Sequence, residues 1–116
     1  MLPTIYRESY EILLDRLMTL AGAIDGTDTE SRDREFRDLR AWMDTRVLSL
    51  TDDNLEGETR VRWQRIQTEI VRSWRLLQTD WLFLASSRQS LDRRLTTVRE
   101  RLNTLAGYCR ALLDPG

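Results

Sequence analysis

The 116-residue sequence contains no histidine and a single cysteine, Cys109, and these two facts remove most of the chemistry a small protein could perform. Without imidazole there is no Ser-His-Asp or Cys-His nucleophile pair, no histidine general base and no zinc site that includes histidine. The Glu-x-x-His motif of di-iron bundles is excluded for the same reason. One cysteine can form neither an intrachain disulfide nor a Cys-x-x-Cys cluster, a usage that suits a reducing, cytoplasmic setting. The acidic run Asp25-Gly26-Thr27-Asp28-Thr29-Glu30 places its glycine second, where a calcium loop needs acids at its first, third and fifth positions and glycine at its sixth. Asp52 and Asp53 are adjacent in a second turn with no partner cluster to make an acid and base pair. Dinucleotide and phosphate-binding glycine patterns are absent. The sequence therefore points to a non-catalytic protein with no cofactor, no metal site and no catalytic residues.

Charge is divided unevenly along the chain. Residues 1–59 are net −7 and residues 60–116 net +6, so the overall charge of −1 conceals an acidic half and a basic half. So acidic a first half argues against a generic nucleic-acid binder. The split is expected either to be satisfied between packed helices or to present a docking surface to an acidic partner. All eighteen basic residues are arginine, which reads as compositional bias in the source genome. Apolar residues make up 41% and charged residues 32%, a soluble globular profile. At this length one domain, residues 1–116, buries about 60–70% of the surface of its unfolded chain. The first ten residues carry Arg7 and Glu8, and the longest apolar run is Trp81 to Ala85. Neither a secretory core nor a membrane span is expected.

The elements that would position any functional residue read as four helices. Tyr6, Tyr10, Leu13, Leu17, Leu20 and Ile24 alternate steps of three and four, one face of a helix stopped by Asp25-Gly26. Thr27 and Glu30 have capping-box spacing ahead of Phe36, Leu39, Met43, Val47 and Leu50. The turn over Leu50–Gly57 precedes a long helix whose face is Trp63, Ile66, Ile70, Trp74, Leu77, Trp81 and Leu84, with Asp53 and Glu56 as candidate caps. Ser86–Ser90 breaks it, with Ser87 or Ser90 as the next cap. Leu91, Leu95, Val98, Leu102, Leu105, Cys109 and Leu112 then form the most regular seam in the chain. The expected fold is an all-α, up-down-up-down four-helix bundle with helices over 3–24, 29–50, 54–85 and 88–113, the third being long. Leu102 belongs to its core, and Cys109 is a small buried hydrophobe rather than a reactive thiol.

Candidate binding residues come from what this bundle leaves over. At 100° per residue, Leu76 and Phe83 point away from the face of Trp74, Leu77 and Trp81, and four large apolar residues from Trp81 to Leu84 cannot all enter one core. A neighbouring copy, a bent loop or a partner should cover the excess. Arg94, Arg101 and Tyr108 follow one flank of the fourth helix at heptad spacing, with Arg99 and Arg110 on the other. Leu76, Phe83, Arg94, Arg101 and Tyr108 are the candidate partner-binding residues.

Across the second half, Arg75-Leu76-Leu77, Thr79-Asp80, Phe83-Leu84, Ser87-Arg88-Gln89, Arg101-Leu102, Leu105 and Tyr108-Cys109-Arg110-Ala111-Leu112 resemble the C-terminal portion of the PatD-like proteins of cyanobacteria. Those small proteins modulate heterocyst commitment and act on the division protein FtsZ. Ser87-Arg88-Gln89 and the Tyr108-Cys109 ending are the most specific parts, and the first half matches only in length and helical character. The resemblance implies a non-catalytic modulator of FtsZ assembly that couples cell division to differentiation. It supplies no contact residues. The alternative reading is a helical nucleic-acid-associated regulator using the arginines of helices three and four, which requires a continuous basic face and strong salt dependence. Self-association into a homo-oligomer is a further expectation.

Overall fold

The computed structural model describes residues 2–86 and 91–114. The period of three and four in the first segment becomes α1, Thr4–Ile24, with Tyr6, Tyr10, Leu13, Leu17, Leu20 and Ile24 all buried. Pro3 stands just outside it, and its carbonyl accepts the amides of Tyr6 and Arg7, both at 3.1 Å. The second helix, α2 (Thr29–Trp42), is capped by Asp28, whose carboxylate accepts the Ser31 amide at 3.3 Å. The cap is thus one residue later than the expected Thr27, and a single Asp28 side-chain bond stands in place of the capping box. Asp28 has the extended backbone that a cap needs, and its negative charge is favoured at a helix N-terminus.

Expected to continue to residue 50, the second helix instead widens after Trp42 into a π turn, Met43–Val47, where the Leu48 amide reaches back five residues to the Met43 carbonyl at 2.8 Å. The cause lies elsewhere in the chain. Gln67 donates its Nε2 to the Val47 carbonyl at 3.1 Å, and Met43 and Val47 are both fully buried, so the wider turn keeps both side chains in the core while an interior amide holds the helix end.

The next helix, α3 (Gly57–Ser86), has 30 residues and starts three later than the expected residue 54. Asp52–Leu55 is used as a turn, closed by the Leu55 amide on the Asp52 carbonyl at 3.0 Å, with Leu55 buried. Gly57 then adopts φ +58°, a left-handed conformation that costs other residues about 1 kcal/mol or more. The last helix, α4, covers Leu91–Leu113. Its expected start at residue 88 and the serine caps at 87 and 90 fall outside the described residues.

Pairs across the bundle give the topology. Ser9 meets Trp42 and Arg16 meets Asp38, so α1 and α2 are antiparallel. Asp80 meets Arg101 across α3 and α4, and Met18 meets Arg110 across α1 and α4, again antiparallel. The up-down-up-down bundle follows. Helix α4 packs closely on both α1 and α3, whereas among the described residues the backbones of α1 and α3 never approach within 8 Å, nor do those of α2 and α3. The first gap is a bundle diagonal. The second is filled by aromatic plates: Phe36 stacks on Trp81 with centroids 4.3 Å apart and on Trp74 at 5.7 Å.

On α4, Val98, Leu102, Leu105, Cys109 and Leu112 are buried as the seam requires. Leu91 is not, being 41% exposed. Arg99 pairs with Asp25 at the end of α1, so the first turns of α4 extend past α1 and pack on α3 alone.

Candidate partner-binding face

At the end of the bundle where α3 finishes, the angular argument for Phe83 holds: it is 49% exposed, with Leu82 at 72% beside it. From α4, Arg94 reaches over the outward ring, its guanidinium carbon 5.4 Å from the ring centroid, a cation–π arrangement. Among the described residues the Nε of Arg94 is buried without a hydrogen-bond partner. Asp80, Phe83, Arg94 and Thr97 line a hollow of about 100 Å³. Two turns beyond Arg94, Arg101 donates its Nε to Asp80 at 2.9 Å, which fixes the register of α4 against α3 and neutralises the carboxylate on that side of the hollow.

Three of the five candidate residues therefore meet: Phe83 and Arg94 directly, and Arg101 through Asp80. Leu76 lies apart, 39% exposed on the outer side of α3, in a shallow groove with Thr68, Val71, Arg72, Arg75 and Thr79. Tyr108 is half-buried against the core further down α4. Asp80 and Thr97 were not singled out from the sequence. Only the register between α3 and α4 brings them to the hollow, and no spacing within one helix encodes that register.

Arg94 offers a desolvated donor next to an aromatic face, suited to a carboxylate or carbonyl of a protein partner. Of the oxygens lining the hollow, the Asp80 carboxylate accepts from Arg101 and the Thr97 hydroxyl donates to the Arg93 carbonyl at 3.2 Å. Cys109 lies in the core, where burial pushes its thiol up to about 12, so the thiolate is not populated at neutral pH. Burial likewise pushes the Tyr10 phenol well above its usual range. Among the described residues no three acidic or thiol side chains converge as a metal site would require, and no helix is long and apolar enough to cross a membrane.

The charge split is only partly met inside the fold. Ion pairs that join the two halves, Arg60 with Asp52 and Arg99 with Asp25, are partly open to solvent. Exposed pairs of this kind stabilise weakly. Comparison of the chain with protein-family models, curated proteins and solved structures returns no match.

Proposed function

We propose that this protein is a non-catalytic binding module whose α3–α4 rim, built on Phe83, Arg94 and the Asp80–Arg101 pair, engages an acidic protein partner. The partner implied by the resemblance to PatD-like proteins is FtsZ, with modulation of filament assembly as the consequence. The observation that carries the reading is the Phe83–Arg94 pair. A half-exposed ring under a guanidinium gains apolar contact, and the guanidinium an opposite charge, when a carboxylate-bearing surface closes over the pair. The net +6 of the second half favours encounter with such a surface.

Binding of purified FtsZ to immobilised protein at two salt concentrations tests this. Phe83→Ala should weaken affinity by about 1–2 kcal/mol, chiefly through faster dissociation, and Arg101→Glu should chiefly slow association at low salt. Wild-type protein that ignores FtsZ while binding duplex DNA with a steep salt dependence would instead favour the nucleic-acid reading.

A further inference from the structure

Two helices of this bundle carry a second stripe besides the one they bury. On α1, Ile5, Glu8, Ile12, Asp15, Thr19 and Gly22 alternate steps of three and four, and every one is exposed. Ile5 is 64% and Ile12 38% accessible. On α3, Val61, Arg65, Thr68, Arg72, Leu76, Thr79 and Phe83 progress by steps of three and four along one line, again all exposed. Spacing of this kind keeps a line straight along a helix, as a helix–helix contact needs and scattered surface residues do not.

The stripes are opposite in charge and alike in apolar spacing. Isoleucines seven residues apart on α1 accompany Glu8 and Asp15, whereas Leu76 and Phe83, also seven apart, follow Arg65 and Arg72 on α3. The threonines within the stripes turn inward: Thr19, Thr68 and Thr79 each donate their hydroxyl to the carbonyl four residues back, at 3.0, 2.8 and 3.2 Å. With their hydroxyls satisfied on their own helix, these residues can be covered without leaving a polar group unpaired.

We infer that the acidic α1 stripe of one copy of this chain docks on the basic α3 stripe of a second copy. The placement of the two helices sets the kind of assembly. They occupy diagonal corners of the bundle, with their outer stripes turned in opposite directions, so one contact cannot be its own symmetry mate. Each copy offers one donor face and one acceptor face, and association is head-to-tail. This goes beyond the partner reading and does not depend on it, although the two surfaces share Phe83.

Sedimentation of the whole chain and of two surface variants tests the inference, with circular dichroism confirming that each variant keeps its helices. Wild-type protein should gain mass with concentration and pass that of two copies. Ile5→Arg with Ile12→Arg blocks the α1 face, and Arg72→Glu with Leu76→Glu blocks the α3 face. Each variant alone should remain a monomer, and an equimolar mixture should stop at one-to-one pairs, because each partner contributes its one intact face. Wild-type protein that stays monomeric overturns the inference, as does a single-face variant that dimerises with itself or a mixture that does not pair. Should the milder Ile5→Ser with Ile12→Ser associate as wild type does, the α1 stripe is not the contact. The α1-blocked variant keeps Phe83 and Arg94, so its FtsZ binding reports on the partner reading separately.

Discussion

Where α1 begins, the bundle is closed by hydrogen bonds; where α3 ends, it is closed by ring faces. At the first end the Trp63 indole donates to the Tyr10 hydroxyl at 2.7 Å, Tyr10 donates to Gln67 Oε1 at 2.6 Å, and Gln67 passes the chain on to the Val47 carbonyl. Tyr6 adds a bond to the Thr51 carbonyl at 2.7 Å, and Trp42 one to the Ser9 carbonyl at 3.1 Å. At the other end Phe36, Trp74 and Trp81 form a stack, among the described residues without such a relay, and Phe83 is half-exposed beneath Arg94. The first arrangement fixes one register, because a shift of either helix strands a buried polar group. Plates in contact fix a separation but tolerate sliding, which leaves the second end the better place for a surface that adapts to a partner.

The stacked end should give the largest loss when its centre is removed. Phe36→Ala is expected to cost about 3–5 kcal/mol in chemical denaturation, since it empties the gap across which α2 and α3 meet. Tyr10→Phe removes one oxygen yet leaves the Trp63 indole and the Gln67 carbonyl buried without partners, and should cost about 2–4 kcal/mol. A loss below about 1 kcal/mol would mean that water replaces the hydroxyl and that this end is not locked. Gly57→Ala should cost about 1 kcal/mol through the backbone alone, because an added Cβ would have nothing within 4 Å; an unchanged midpoint would show that the left-handed turn is not maintained.

Asp52 gives the smallest effect. Hydrogen bonds from Arg60, then from Gln64, hold its carboxyl below the ordinary value of 3.8. A depressed pKa stabilises the fold above that value and loses its contribution as pH falls below it. Asp52→Asn should therefore lower stability slightly at neutral pH and remove the matching part of the decline below about pH 4, so that variant and wild type converge in acid.

The same contrast explains what the sequence could reveal. The faces of α1 and α4 were legible almost residue by residue, because burial there depends only on which side of a helix a position occupies, and the outward direction of Phe83 followed from the same arithmetic. The π turn was not legible. It depends on Gln67 meeting Val47 across 20 positions of sequence, and a helical period carries no information about a distant donor. Thr27 and Asp28 are both competent caps, and only the backbone conformation of the turn selects between them. Leu91 continues the α4 period but lies beyond the end of α1, which stops opposite Arg99. At the candidate site, the flank carrying Arg94 and Arg101 could be read from the spacing. Their meeting with Phe83 and Asp80 required the register of two helices.

The aromatic spacing between α2 and α3 has a kinetic side. A helix tied to α3 by ring faces, nowhere approached by that neighbour's backbone and packed closely on α1 alone, can peel away by unstacking Phe36 and parting from α1 while α4 keeps its packing on α1 and α3. Native-state hydrogen exchange should then show the amides of α2 opening as a separate, less protected unit ahead of the other three helices. The order in which this bundle loosens is written in the thickness of two indoles and a phenyl ring.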